Sequence, residues 1–318
     1  MVLLEVDSLT VEYRARRGNV RAIDNVSFSL EKGEILGLVG ESGSGKSTLG
    51  FSLIRLVPPP GVITNGRIMI EGKDILTFSE EEMRSLRGSK IAFIFQDPMT
   101  SLNPVKNIES HFVELQRSHN PELKAADALG QTKNILKVLG IPPERARDYP
   151  HQFSGGMRQR IMIGLAVALN PDLVVADEPT TALDVIVQAK ILDLLKGLRD
   201  AYGMALLLVT HDLSIVLERC DKVIVLYAGQ IVESADRVDL QNNPCHPYTQ
   251  GLLRSIPNIE LQDQRLKAIP GNPPDPLDLP KGCRFQQRCA YAMEYCRNET
   301  PLIDIGQNHL VRCFLYGG

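Results

Sequence analysis

Residues 40–47 read Gly-Glu-Ser-Gly-Ser-Gly-Lys-Ser, and no other stretch limits the fold of this chain so tightly. Glycine, four residues, glycine, lysine and a hydroxyl residue make up the phosphate-loop pattern. The apolar run "EILGLVG" leads into it as a buried parallel strand would. Residues 47–56 leave it as a helix, stopped by Pro58, Pro59 and Pro60. Strand, glycine loop and helix in that order place a nucleotide at the loop. Gly40, Gly43 and Gly45 let backbone N–H groups turn inward around phosphate oxygens, and Glu41, Ser42, Ser44 and Thr48 belong to the same group. The helix start adds about half a positive charge aimed at the same anion. Lys46 supplies a point charge to the outer phosphates, and Ser47 a hydroxyl for Mg²⁺.

The rest of the chain fits a mostly parallel sheet with helices on both faces. Strand-like segments open it ("LLEVDSLTVEY", "NVSFSL"), with a turn at Gly18 and Asn19. "KIAFIFQ", "LVVADE" and "ALLLVTHD" are short buried strands, the first reaching Gln96, and "DKVIVLYAGQIVESA" reads as a hairpin. Residues 98–139, 156–169 and 185–200 have helical patterning. After residue 236 prolines accumulate ("NPPDPLDLP") and periodicity fades, so residues 236–318 read as an extension with a small fold of its own. A net charge of -3 argues against nucleic acid as a partner. The first residues lack the cationic and apolar blocks of a signal peptide, and the run "IMIGLAVAL" is too short to span a bilayer. A cytosolic protein, or one held at a membrane by a partner, is expected.

Phosphoryl transfer also needs carboxylates beside the loop. Asp177 follows four apolar residues at a strand end, where it can hold Mg²⁺, and Glu178 comes next, where it can aim at a water. A serine and two glycines then open a helix in "FSGGMRQR". Taken alone, Ser154 is an ordinary N-cap, yet Gly155 and Gly156 also let a phosphate approach the helix start.

The ordered set of the phosphate loop, "FIFQDP", "FSGGMRQR", "LVVADEP", "TALD" and "THD" resembles the ATP-binding cassette (ABC) ATPases over about residues 2–234. The resemblance implies a RecA-like P-loop α/β cassette over residues 1–235. It would have an N-terminal antiparallel subdomain and a helical subdomain at about 97–165. It implies that two cassettes pack head to tail, with ATP between one chain's phosphate loop and Ser154, Gly155 and Gly156 of the other. That would explain why one chain carries two phosphate-binding elements. By the same resemblance Tyr13 stacks on adenine, Gln96 contacts Mg²⁺ and the attacking water, Asp184 bridges the two sites, and His211 holds the γ-phosphate and supports Glu178. Alternative structural roles remain open: Asp184 as a helix cap, Tyr13 as a strand aromatic. Phe153 stands where the family usually has leucine, and Met157 where glutamine is common.

"FQDPMTSLNP", "DEPTTALDV", "HPYTQGLL" and the tail "IPGNPPDPLDLPKGCRF" resemble the ATPase subunits of dipeptide and oligopeptide importers. This implies two transmembrane permease chains docking a coupling helix near residues 96–104. It also implies a second ATPase subunit, as a heterodimer or, in isolation, a homodimer. An extracytoplasmic substrate-binding protein and a peripheral place on the cytoplasmic face of the cell membrane follow from it too. A soluble ABC ATPase without a permease, and an importer of nickel or sugar oligomers, are the alternatives. Of six cysteines, Cys283, Cys289, Cys296 and Cys313 crowd into the tail with spacing C-x5-C-x6-C-x16-C. No CxxC pair is present, so the zinc-ribbon pattern fails. Four thiolates from one segment can still hold zinc or an iron–sulfur cluster, and the subfamily resemblance implies [4Fe–4S]. Cys245 reads as an inert loop thiol, with a spare ligand as the alternative, and Cys220 as a core residue.

Overall fold

The computed structural model describes residues 1–16, 18–97, 101–181, 183–256 and 268–317. Two compact units emerge: one comprises Met1, Glu31–Gly33 and Thr77–Leu207, the other Val2–Leu30, Glu34–Leu76 and Leu208–Gly318.

The second unit opens with β1 (Val2–Ala15) and β2 (Gly18–Glu31), joined by β4 (Gly61–Ile70) and β5 (Lys73–Asp74) in a four-stranded sheet of order β2-β1-β4-β5. Leu4 pairs opposite Ile70 and Val6 opposite Ile68, antiparallel. A register shift after Asp7, with Ser8 at φ 51°, then swaps the buried parity from Leu4 and Val6 to Leu9 and Val11. One extra residue in a strand turns every later side chain to the other face.

Also in this unit, β3 (Ile35–Val39) is buried along its whole length and lies parallel to β9 (Lys222–Tyr227). β9 forms the expected hairpin with β10 (Gln230–Asp236). The helix α1 (Lys46–Leu53) follows the phosphate loop, and α7 (Leu213–Arg219) packs on β3. There Cys220 is a core residue, as read, and burial pushes its thiol pKa up.

The first unit contains α2 (Glu80–Leu86), started by a full capping box at Ser79 and Glu82, then β6 (Ile91–Ile94) parallel to β7 (Leu173–Asp177). β6 stops at Ile94, so Gln96 is past the strand end and exposed, not on the strand as its apolar lead-in suggests. Helices α3 (Ile108–His119), α4 (Ala125–Val138) and α5 (Gly155–Val167) pack on one another and bury Phe112, Leu136 and Ile161, and α6 (Val185–Tyr202) packs on α5. β8 (Ala205–Thr210), buried throughout, carries the boundary between the units. Among the described residues, no helix is long and apolar enough to cross a membrane.

The boundary read near residue 236 falls at the end of β10, and the chain beyond it stays within the second unit. Helices α8 (Arg237–Asn242) and α9 (Pro247–Arg254) follow, then β11 (Ile303–Asp304) and β12 (Leu310–Val311). β12 pairs with β10, placing Val311 opposite Glu233. Glu233 is fully buried and satisfied: its carboxylate accepts the N–H groups of Cys245 at 2.7 Å and His246 at 2.8 Å, and His309 Nε2 at 2.8 Å. A buried polar group is tolerated where such partners replace water.

His246 is equally buried, and its Nδ1 accepts the Tyr248 N–H at 3.0 Å. Burial, with Arg312 nearby, pulls its pKa from 6.5 down to about 3. Between those values the unfolded chain binds a proton that the folded chain refuses, so stability is lost as pH falls through this window. Denaturant unfolding should lose about 2 kcal/mol between about pH 7.5 and about pH 5 from this group alone. His246→Gln should show a pH dependence smaller by that amount; an unchanged dependence would rule the assignment out.

Candidate functional site

The phosphate loop links β3 to α1 inside the second unit. Gly40 passes so close to β9 that an added Cβ would sit 2.1 Å from the Leu226 carbonyl. Gly45, at φ 104°, is the N-cap of α1 and offers no side-chain cap, so the first-turn N–H groups remain directed at the loop mouth. Lys46 is almost wholly buried, and its ammonium donates to the carbonyls of Gly40 at 2.8 Å and Glu41 at 3.0 Å. Ser42 and Gly43 are exposed at the loop tip. Tyr13 comes to the loop from the end of β1, its hydroxyl 3.3 Å from Thr48 Oγ1, with Ser47 the adjacent residue of the same helical turn. His211 follows β8 directly and is exposed.

The first unit gathers the acidic group. Asp177 ends β7 and is 3% exposed. Glu178 then takes φ 45°, a left-handed backbone that costs a residue with a Cβ about 1 kcal/mol or more and often marks a functional position. Its Oε2 accepts Gln96 Nε2 at 3.2 Å and Thr181 Oγ1 at 2.8 Å. Gln96 and Glu178, read from two separate strand ends, therefore meet. The part played by Thr181 was not legible: "TALD" marked the turn, but no local signal says which hydroxyl faces the glutamate.

Both helix starts singled out in the sequence are capped. Ser154 Oγ accepts the Met157 N–H at 3.4 Å at the start of α5, and Asp184 Oδ1 accepts the Val187 N–H at 2.9 Å at the start of α6. The two starts touch: an added Cβ on Gly156 would lie 2.7 Å from Val187 Cγ1. Gly155 differs, since among the described residues an added Cβ would meet only a Leu183 methyl, at 4.0 Å. Phe153 is buried under the Arg145 guanidinium, 4.2 Å from the ring centroid, which accounts for an aromatic residue here. Val185 and Ile186, just past Asp184, are 81% and 69% exposed. Pro98, Met99 and Thr100 of the expected permease groove, and Ala182 of "TALD", lie outside the described residues.

The structure brings the four tail cysteines into one neighbourhood. Burial first, then the proximity of Cys296, Cys313 and Cys289, pushes the Cys283 thiol up to about 11; Cys289 and Cys313 are raised in the same way. Backbone N–H groups point at each sulfur: from Phe285 to Cys283, Tyr291 to Cys289, Met293 to Cys296 and Leu315 to Cys313. The four sulfurs, each met by a backbone donor, are the groups that a thiolate-bound metal would use. Cys245 lies in the loop between α8 and α9, as read, and is buried, which pushes its thiol pKa up. Its sulfur lies within 4.8 Å of the nearest Glu233 oxygen and His309 nitrogen. Those groups already bond one another directly, and Cys245 Sγ donates to the Asn243 carbonyl.

Comparison with known proteins places these features together. Residues 23–181 match the family model described as ABC transporter, and residues 232–296 the model for the oligopeptide/dipeptide transporter C-terminal region. The chain is 46% identical to the oligopeptide transport ATP-binding protein OppD of Bacillus subtilis, across 98% of this chain and 88% of that one. It is 44% identical to the dipeptide transport ATP-binding protein DppD of Haemophilus influenzae, across 98% and 95%. Among solved structures, the dimeric bacterial ABC transporter cassette MJ0796 aligns with a TM-score of 0.66 and 28% identity over 74% of this chain and 99% of that one. The same cassette in a post-hydrolysis state with ADP and Pi aligns at 0.65 and 27%, with the same coverage. The chain belongs to the ABC transporter family, within its branch of oligopeptide and dipeptide transport ATP-binding proteins.

Proposed function

We propose that this chain is the ATP-hydrolysing subunit of a membrane importer for oligopeptides or dipeptides. The observation that carries the reading is the Gln96–Glu178 pair at 3.2 Å in a chain that combines a cassette with the peptide-transporter C-terminal region. ATP lies with its phosphates on the N–H groups of residues 40–48 and on Lys46, and its adenine against Tyr13. Ser47, Gln96 and Asp177 are the residues that would hold Mg²⁺, which would neutralise phosphate charge. Glu178 accepts a proton from the attacking water, the new bond forms from that oxygen to the γ-phosphorus, and the bond to the β,γ-bridging oxygen breaks to give ADP and phosphate. His211 contacts the γ-phosphate. Ser154, Gly155 and Gly156 serve the nucleotide held by a second ATPase subunit, and Asp184 bridges the two sites. ATP favours the closed pair and its products the open one, and that shift in population moves two permease chains. A substrate-binding protein delivers peptide, and the chain works at the cytoplasmic face of the membrane.

The C-terminal region is proposed to hold a [4Fe–4S] cluster on Cys283, Cys289, Cys296 and Cys313. When bound, the cluster cross-links a proline-rich segment with little apolar core of its own. Anaerobically purified protein should be brown, absorb at about 400 nm and carry about four irons per chain. Cys289→Ser should lose the colour, whereas stoichiometric zinc in a colourless protein would overturn the cluster. For the importer itself, detergent extraction should recover the chain with two integral membrane chains, in a complex whose ATPase activity rises with peptide-loaded binding protein. Recovery only in the soluble fraction, without a permease, would contradict it.

A further inference from the structure

The phosphate loop is held from outside by the C-terminal region, whose hydrogen bonds to it, among the described residues, converge on Glu41. Arg288, whose side chain is 5% exposed, makes a two-pronged ion pair with the Glu41 carboxylate, Nη1 to Oε2 at 2.7 Å and Nη2 to Oε1 at 3.0 Å. Tyr248, fully buried in α9, accepts the Glu41 backbone N–H on its hydroxyl at 2.9 Å. The Glu41 carbonyl accepts from Ser44 N–H at 3.1 Å and from the Lys46 ammonium. One residue thus carries the side-chain, amide and carbonyl contacts that shape the loop.

The holding groups are themselves fixed. The Arg288 guanidinium also donates to the Pro270 carbonyl at 2.9 Å and to the Tyr227 hydroxyl at 3.2 Å. Tyr227, Tyr248 and Phe285 form an aromatic cluster with ring centroids 4.6 to 5.4 Å apart. Packing alone does not brace the loop. A cavity of about 230 Å³ has Glu41, Ser42, Gly43 and Ser44 on its lining, together with Pro273 and Pro274. The polar contacts to Glu41 therefore add to the restraint that β9 places on Gly40 and that the Gly229 N–H, at 2.8 Å, places on the Ser44 carbonyl.

We propose that Arg288 and Tyr248 are positioning residues for ATP: they hold Glu41 so that the phosphate loop is shaped before the nucleotide arrives. A loop already ordered spends less binding energy on ordering itself, so the effect falls on affinity. Neither residue touches the reacting atoms. The inference rests on the phosphate loop being the ATP site, and Lys46→Ala serves as the control for that reading.

The test measures binding of mant-ATP to the purified full-length chain and ATPase kinetics of the assembled complex. Arg288→Ala should weaken binding about tenfold, and Tyr248→Phe, which keeps the ring, about threefold. Arg288→Lys should recover part of the loss, because a single ammonium cannot make both bonds. In the complex, KM for ATP should rise with kcat changed less than about twofold. In a Glu41→Ala background, Arg288→Ala should cost less than about twofold more, because the contact is already gone. An effect arising only from the general positive charge of Arg288 would persist undiminished in that background and would overturn the proposal. So would unchanged affinity in both Arg288→Lys and Tyr248→Phe, two variants chosen to preserve the fold. If Lys46→Ala binds mant-ATP normally, the phosphate-loop reading fails instead.

Discussion

Glu178→Gln in the assembled complex is expected to lower ATP turnover by about a thousandfold, within the range for loss of a general base. The substitution is close to isosteric. A glutamine carbonyl can still accept from Thr181 and from Gln96, which now bond Oε2 at 2.8 Å and 3.2 Å, so the turn after β7 should keep its shape. What disappears is the carboxylate proposed to take the water proton. Binding of ATP should survive, because the proposed phosphate contacts come from the loop and α1. Phosphate release and nucleotide retention measured on the same preparation check both halves. Turnover within about tenfold of the unmodified complex would remove Glu178 from the base role.

The second large effect is expected at Gly155. Gly156 cannot gain a Cβ without meeting Val187, so loss of activity there would be ambiguous. At Gly155 a Cβ has open space, and Ser154 already caps the helix. Gly155→Asp should therefore fold and melt like the unmodified chain, and ATP should still bind to its own phosphate loop. It places a carboxylate where a partner's γ-phosphate is expected. The carboxylate repels a phosphate and blocks its approach to the helix-start N–H groups, and losing the use of such donors costs about a hundredfold to a thousandfold in turnover. Melting temperature, mant-ATP affinity of the chain and turnover of the complex separate a folding defect from a defect in the shared site. Normal turnover would mean that this helix start serves no nucleotide.

The sequence was most informative where the physics is local. A five-residue apolar run, a glycine octet and a helix predict β3, the phosphate loop and α1, because buried parallel strands and helix starts each have short-range signatures. Glu178 was legible for the same reason, sitting one residue past the buried strand β7. Gln96 was placed on a strand that in fact ends at Ile94: the apolar pattern continues through Phe95, but Phe95 is 40% exposed. The parity change at Ser8 leaves no trace in composition, since a bulge preserves the mixture of residues while changing which face they meet. Glu41–Arg288 and Glu233–His309 join residues far apart in sequence, and a single carboxylate in a loop says nothing about a cation so distant along the chain. The neighbours of Cys245 are hidden in the sequence for the same reason: they come from β10 and from the strand region near the chain's end.

The central claim is that each ATP is bound by two chains at once, the phosphate loop of one and the Ser154 helix start of the other. A photoreactive group attached to the γ-phosphate of ATP tests this directly. This chain, disabled at its own loop by Lys46→Ala, is assembled with an unmodified partner ATPase and the permease, irradiated, digested and mapped by mass spectrometry. Labelling of the peptide containing Ser154, Gly155 and Gly156 despite the disabled loop is the result the account predicts. If label reaches this chain only when Lys46 is intact, and only on residues of its own phosphate loop, the nucleotide is not shared and the account is contradicted.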